Sequence, residues 1–199
     1  MRKWMIAGLA AVLLLGAAAG GWAWWRLRPF ALPEGANLEG RPAPAFALTD
    51  QFGKPLALAD LRGRVVLLTF IDSHCTDVCE FTATELLKAQ TALGAQRGQV
   101  SIVAVNVNAR YNSVGDVLDY SRRFHMDERW YFLTGDATAL QQVWKDYYIG
   151  VEVGPRGDVT HQVAVYVIDQ RGRQRALLLP HTDPMIRFEQ ILADVRPLL

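Results

Sequence analysis

The two cysteines of the chain stand four positions apart, in Cys75-Thr-Asp-Val-Cys79. They follow an apolar run and precede a predicted helix, so they lie where the carboxyl end of a strand meets a helix amino terminus. Backbone amides and the helix dipole favour thiolates at such a position. The spacing places both sulfurs on one side of a helical turn, where they can share a metal ion or, after local unwinding, form a disulfide. The plainer alternative is a pair of ordinary buried cysteines or a static disulfide.

The elements that must position these cysteines alternate between strand and helix signals. Residues 65–71 form a continuous apolar run rich in β-branched residues, as expected of a central strand covered on both faces. Ser113 is the predicted cap of a helix, and the turn at residues 169–172 predicts a hairpin. We therefore expect an α/β sandwich. The predicted strands are 46–48, 56–58, 65–71, 100–107, 130–133, 162–168 and 176–179, and the predicted helices are 81–96, 114–124, 137–148 and 183–195.

The amino-terminal segment is suited to a membrane. Residues 4–25 form a stretch of 22 residues without a charge, which as a helix spans about 30 Å, the thickness of a hydrocarbon core. Tryptophans at both ends suit the membrane interface. We predict an uncleaved anchor over residues 1–28, with the amino terminus inside the cell and the domain outside. The alternative is a signal peptide cleaved near the alanines at 17–19.

Composition and charge define the rest of the chain. Residues 29–44 are rich in proline and glycine and are predicted to be a linker, which leaves residues 45–199 as the folded domain. Lys+Arg and Asp+Glu number 21 and 20, a net charge of +1, which argues against a nucleic-acid binder of the basic-patch kind. A domain of this size buries a full core without disulfides, so the cysteines are not needed as a scaffold.

The segment from Phe70 to Cys79 resembles the copper-site segment of the Sco/SenC family, thioredoxin-like copper chaperones of cytochrome oxidase assembly. The typical motif of that family is Thr-His-Cys-Pro-Asp-Val-Cys, and its third ligand is a histidine in a later strand. Residues 161–172 fit that second pattern in spacing and in the turn that follows. The resemblance covers about residues 40–199. It implies a thioredoxin-like fold, with a central mixed sheet flanked by helices behind an N-terminal transmembrane helix, and it implies Cys75, Cys79 and His161 as metal ligands.

The chemistry of these donors agrees with copper. Two soft thiolates and one imidazole suit Cu(I) in a trigonal site, and they hold Cu(II) if a further ligand joins. Structural zinc prefers a fourth protein ligand, and an iron–sulfur cluster needs more cysteines. Without the resemblance, His161 is equally well interpreted as a core or surface histidine at a strand start. His74 is interpreted as a supporting or structural residue, and His125 and His181 as residues near helix ends.

The sequence departs from the family pattern around the motif. Thr76 replaces the usual proline, and Asp72-Ser73 replaces a Gly/Tyr-Thr pair. Asn108 and Asn112 stand where the family has aspartates, and Thr160 precedes the histidine where the family usually has aspartate. These changes indicate a divergent branch, whose partner need not be an oxidase subunit.

The sequence as a whole predicts a membrane-anchored copper-binding protein on the periplasmic side of a bacterial cytoplasmic membrane. The implied partners are a copper-acceptor protein, with cytochrome c oxidase subunit II as the candidate, and a thiol reductant protein, since only reduced cysteines bind copper. The alternative is a thiol-disulfide oxidoreductase that uses the Cys75/Cys79 pair on a dedicated partner. Thioredoxin-like reductants typically have two residues between their cysteines and a cis-proline opposite the site, and this chain has no proline between Pro155 and Pro180. A copper or redox sensor would use the same residues.

Overall fold

The computed structural model describes residues 36–75, 78–180 and 185–199. The predicted membrane anchor lies outside these ranges, and so do Thr76 and His181. None of the helices in the described ranges combines the length and the apolar character needed to cross a membrane.

Strands and helices alternate over residues 65–146, as the sequence predicts, and further strands precede and follow this part of the chain. The strands are β1 (Ala36–Pro42), β2 (Ala47–Thr49), β3 (Pro55–Ala57), β4 (Val65–Ile71), β5 (Val100–Asn106), β6 (Tyr131–Leu133), β7 (Val151–Val153), β8 (Val159–His161), β9 (Val165–Ile168) and β10 (Arg173–Leu178). The helices are α1 (Val78–Ala92), α2 (Val114–Arg123), α3 (Ala137–Asp146) and α4 (Phe188–Val195).

A six-stranded mixed sheet forms the centre, in the order β1-β10-β9-β4-β5-β6. Strands β4, β5 and β6 are parallel to one another, whereas β9 is antiparallel to β4 and β10 is antiparallel to both β9 and β1. Two further hairpins, β2–β3 and β7–β8, form separate two-stranded sheets. The predicted α/β class with an antiparallel element is therefore confirmed.

Strand β4 divides the core into two layers. All of its residues are buried, and because side chains alternate along a strand, Leu67 and Ile71 join one apolar cluster while Leu68 and Phe70 join the other. Helices α1, α2 and α4 contribute to the first cluster and α3 to the second. Burial on both faces explains why the sequence of β4 is uniformly apolar rather than alternating.

Strand β1 lies inside the segment predicted to be a linker, and this part of the prediction is wrong. Glycine and proline signal irregular chain, but an edge strand tolerates both because it pairs on one side only. Glu39 and Gly40 have positive φ, and the register against β10 shifts between Asn37 and Arg41. The bulge accommodates these residues, so regular structure begins before residue 45.

Other boundaries also differ from the prediction. The strand predicted over 162–168 is shorter in the structure, since β9 begins at Val165 and the separate strand β8 ends at His161. Helix α4 begins at Phe188 with Arg187 as its N-cap, after the predicted start at residue 183. The predicted cap at Ser113 is confirmed. Its hydroxyl accepts a hydrogen bond from the Asp116 amide, while the Asp116 carboxylate accepts one from the Ser113 amide.

Candidate metal centre

A buried asparagine joins the two chain segments that leave the carboxyl ends of β4 and β5. Asn106 pairs with Ile71 in the parallel register and is fully buried. Its Oδ1 accepts hydrogen bonds from the amides of Ser73 (3.2 Å) and Asn108 (3.0 Å), and its Nδ2 donates to the Tyr111 carbonyl at 2.8 Å. The loop that leads to the cysteines is therefore fixed to the loop that follows β5.

Asp72 shapes the turn that presents the first cysteine. Its side chain is buried, and its Oδ1 accepts hydrogen bonds from the His74 amide and the Asn108 side-chain amide, both at 2.8 Å. The Asp72 carbonyl accepts the amide of Cys75 at 3.0 Å. The sequence shows Asp72 only as a departure from the family motif, and its role follows from these contacts.

The two cysteines occupy different environments. Cys75 precedes α1 and is partly buried, whereas Cys79 lies on the first turn of α1 and is buried. Both are thiols, not joined by a disulfide. A hydrogen bond with the Cys75 side chain, together with burial, raises the pKa of the Cys79 thiol, although the Asp72 amide acts in the opposite direction. The helix terminus was expected to favour thiolates, but at Cys79 these effects outweigh it and the metal-free thiol keeps its proton.

His161 ends β8 and faces Cys79. Its Nε2 lies 3.7 Å from the Cys79 Sγ, and its Nδ1 lies 3.1 Å from the Gln162 carbonyl oxygen. Because a carbonyl only accepts hydrogen bonds, the proton belongs on Nδ1 and the lone pair of Nε2 points toward the sulfur. Burial lowers the pKa of His161, so the imidazole is neutral at physiological pH. A neutral imidazole is the form that binds metals.

The separation of these two donors fits a shared metal ion. With metal–sulfur and metal–nitrogen bonds of about 2.3 and 2.1 Å, two ligands of one ion lie about 3.5–3.8 Å apart, and the observed distance is 3.7 Å. Within the described ranges, no three His, Cys, Asp or Glu side chains are close enough together to hold an ion as they stand. Cys75 is hydrogen-bonded to Cys79 and must move toward His161 to complete a three-donor set.

The other residues noted in the sequence have structural contacts. His74 is exposed and stacks on the Tyr111 ring with centroids 3.5 Å apart, and His125 is exposed just beyond the end of α2, as predicted. The Asn112 side chain donates to the Gly135 carbonyl at 2.9 Å, which ties two loops together. Sequence reasoning missed the contacts of Asp72 and Asn106, because hydrogen bonds between loops that lie more than 30 positions apart leave no local pattern.

A mixed sheet with helices on both faces, and a cysteine pair where a central strand meets a helix, define a thioredoxin-like protein. The solved thioredoxin domain of a thiol-disulfide oxidoreductase from Bacteroides vulgatus has the same fold. It is 20% identical to this chain with a TM-score of 0.59, over 81% of this chain and 96% of that one.

The family model for SCO1/SenC matches residues 35–196, and the chain belongs to this family. It is similar to the mitochondrial SCO2 homolog of Mus musculus, with 30% identity over 210 residues, 95% of this chain and 78% of the mouse protein. The match to the homolog of Bos taurus is 31% over 134 residues, 64% of this chain and only half the length of the bovine protein. Among solved structures, Bradyrhizobium japonicum ScoI with copper bound is 25% identical, with a TM-score of 0.68 over 79% of this chain and 99% of that one.

Proposed function

We propose that this protein binds one copper ion through Cys75, Cys79 and His161 and delivers it to an acceptor protein. The observation that carries the proposal is the 3.7 Å separation of the Cys79 sulfur and the His161 Nε2, with Cys75 beside Cys79. Two sulfur donors and one imidazole form a set that suits copper. Membership of the SCO1/SenC family and the copper-bound structure of a relative support the same cargo.

The three donors have different parts in binding and release. His161 is neutral and presents its lone pair, so it binds without losing a proton. The cysteines bind as thiolates and release their protons as the ion arrives. Cys75 is the more exposed of the two sulfurs, so the ligands of an acceptor reach the ion from its side. Stepwise exchange then proceeds from Cys75 toward the buried Cys79.

We place the delivery at the periplasmic face of a bacterial cytoplasmic membrane, with residues 1–28 as the anchor. The uncharged stretch at residues 4–25 supports this location. Anchoring raises the effective concentration of the domain near a membrane-bound acceptor. Cytochrome c oxidase subunit II is the candidate acceptor, and a thiol reductant protein keeps the cysteines reduced. Protease digestion of intact and of permeabilised spheroplasts tests the orientation, because a periplasmic domain is cleaved in both.

Thiol-disulfide exchange is the second candidate, favoured by the unequal exposure of the cysteines. In that reaction the Cys75 thiolate attacks a partner disulfide and forms a mixed disulfide, releasing one partner thiolate. Cys79 then attacks Cys75, which releases the second partner thiolate and leaves a Cys75–Cys79 disulfide that the thiol reductant protein must reduce. The position of His161 favours copper, because this exchange needs no third donor.

Copper binding to the reduced full-length protein in detergent distinguishes the two candidates. We expect one copper per chain and thiolate-to-Cu(II) absorption bands that are lost in Cys79→Ser. Cu(I) affinity should fall in His161→Ala but not in the control His125→Ala, which alters an exposed histidine. Unchanged affinity in His161→Ala would exclude the three-donor site. Failure of the wild type to bind copper, with reversible formation of a Cys75–Cys79 disulfide, would establish the oxidoreductase.

A further inference from the structure

Three segments of the chain meet beside the proposed copper donors. They are the loop after β4, which leads to Cys75, the loop after β5, and the turn between β7 and β8, whose hairpin ends at His161. In the part of the chain that the structure describes, β7 and β8 pair only with each other. Side-chain contacts must therefore set the position of this hairpin relative to the loop that leads to the cysteines.

The ring of Tyr111 contacts the loop after β4. His74, which precedes Cys75, stacks on this ring with centroids 3.5 Å apart and planes inclined by 11°. The backbone of Tyr111 is held separately, because its carbonyl accepts hydrogen bonds from Ser73 Oγ at 2.7 Å and from Asn106 Nδ2 at 2.8 Å. These bonds hold the loop after β5 with or without the ring, so the stack is an additional link between the two loops.

Arg110 contacts the hairpin. Its guanidinium carbon lies 5.6 Å from the centroid of the Tyr111 ring, within the range of a cation–π interaction. The same guanidinium lies against Gly157 in the turn between β7 and β8, where a Cβ would come within 2.8 Å of the Arg110 Nη1. Gly157 has a φ of 86°, which favours glycine, and its amide donates to the Gly154 carbonyl at 2.9 Å. The turn therefore has a defined form, and the missing side chain at Gly157 makes room for the arginine.

We propose that Tyr111 is a positioning residue of the metal centre, whose ring joins the cysteine loop to the hairpin that carries the histidine donor. The inference rests on the proposed copper function. Gly157 lies in the turn of this hairpin and His161 at its end, so a contact that holds the turn restrains the imidazole. Without the ring, a smaller fraction of the molecules has the donors in the binding arrangement, and the apparent copper affinity falls in proportion.

The variant Tyr111→Leu removes the aromatic face from the full-length protein but keeps an apolar side chain. Urea unfolding without metal should have a midpoint close to that of wild type, because the ring is half-buried and hydrogen bonds hold the loop backbone. We expect Cu(I) affinity to fall about 3- to 10-fold, the range that one aromatic stacking contact supports. Tyr111→Phe keeps the ring and should bind copper as wild type does. Equal losses in the two variants would contradict the role of the stack.

Two spectroscopic measurements separate positioning from a general loss of structure. Electron paramagnetic resonance of the Cu(II) form should show one set of hyperfine lines in wild type and Tyr111→Phe, but several sets in Tyr111→Leu, because the imidazole then binds in more than one position. In the metal-free protein, the amide NMR signals of Val159 and His161 should shift in Tyr111→Leu and in Arg110→Ala, since each variant removes part of the link. Unchanged signals in both variants would show that the hairpin is not held through Tyr111.

Tyr131→Leu is the matched control. It makes the same change at another half-buried tyrosine, at the amino end of the edge strand β6, and we expect Cu(I) affinity to stay as in wild type. A loss of affinity in Tyr111→Leu beyond that in Tyr131→Leu supports the proposal. If the wild type binds copper and Tyr111→Leu has the same affinity and the same hyperfine lines, the role of Tyr111 is excluded and the copper function stands. If the wild type binds no copper, both fail.

Discussion

The side-chain amide of Asn108 donates a hydrogen bond of 2.8 Å to the carboxylate of Asp72, across 36 positions of sequence. Both side chains are buried. Asn108 stands where the family has an aspartate, and Asp72 is itself a departure from the family motif. A second carboxylate at position 108 would face that of Asp72 in the core, so the contact favours an amide at this position.

Asn108→Asp is the direct test of this coupling. At neutral pH the variant replaces a hydrogen bond with two buried like charges, and we expect the free energy of unfolding to fall by about 3 kcal/mol. Combining it with Asp72→Asn exchanges the two roles and should recover most of the loss. Urea unfolding of the four proteins in a double-mutant cycle measures the coupling. Simple addition of the two single losses in the double variant would show that the residues act independently.

Glu85 makes the stability of the protein depend on pH in the acid range. This buried carboxylate on α1 accepts hydrogen bonds from Lys88 Nζ (2.7 Å) and from the Phe188 amide at the start of α4 (2.9 Å). Burial alone would raise the pKa of Glu85, but these hydrogen bonds outweigh it and the pKa is lowered. The contribution of the Glu85 carboxylate to the free energy of unfolding is therefore fully present above the unfolded pKa, about 4.3. It is lost as the pH falls through the lower pKa of the folded state.

We expect Glu85→Gln to reduce the free energy of unfolding by about 1–2 kcal/mol at pH 7. The difference from wild type should shrink as the pH is lowered below 4, because the wild-type carboxyl is then protonated as well. Glu189→Gln, the same change at an exposed position of α4, is the control and should stay within about 0.5 kcal/mol. Denaturant unfolding at several pH values checks this, and a loss independent of pH would contradict the role of the charge.

The extent of the folded domain is tested by truncation. A chain that begins at residue 45 lacks β1, which covers the edge of β10 and accepts a hydrogen bond from Arg173 at the Gly40 carbonyl. We expect it to unfold at lower temperature and to associate through the uncovered edge, in contrast to a chain that begins at residue 33. Calorimetry and size-exclusion chromatography compare the two, and equal melting temperatures would show that β1 adds nothing.

Gln51 is a buried polar residue, and its side chain forms hydrogen bonds with backbone groups. Its Nε2 donates to the Asp127 and Trp130 carbonyls, and its Oε1 accepts the Phe132 amide at 2.8 Å. Gln51→Met leaves these backbone groups unpaired, so we expect a loss of about 3 kcal/mol in urea unfolding. Copper binding should be unchanged, because the contacts lie at the amino end of β6, opposite the cysteine edge of the sheet. Weaker copper binding would contradict this separation.

The sequence predicts the parts of the fold that depend on neighbouring residues. The apolar run of β4 and the cap at Ser113 appear where expected, because burial on two faces and helix capping leave local patterns. The strand predicted over 162–168 ends at Ile168 as expected, but it begins three residues later, at Val165. The break before it separates β9 from β8, which belongs to another hairpin and so leaves no local pattern. Strand β1 was missed because its pairing partner lies more than 130 positions away.

The residues of the candidate site also divide into those that the sequence identifies and those that only the structure shows. The motif and its family resemblance single out Cys79 and His161, which lie 82 positions apart in sequence and 3.7 Å apart in space. The Asp72–Asn108 pair has no sequence signal, because a hydrogen bond between distant segments depends on how the loops pack.

His161 is mounted on a hairpin that the central sheet does not hold. In the described part of the chain, β8 pairs with β7 alone, whereas the cysteines follow β4 in the middle of the six-stranded sheet. A displacement of this hairpin would therefore change the distance between His161 and Cys79 without breaking a ladder hydrogen bond of the main sheet. Of the three proposed copper donors, two follow the central strand and one belongs to a separate hairpin, so the geometry of the proposed site depends on how the β7–β8 hairpin packs against the second apolar cluster.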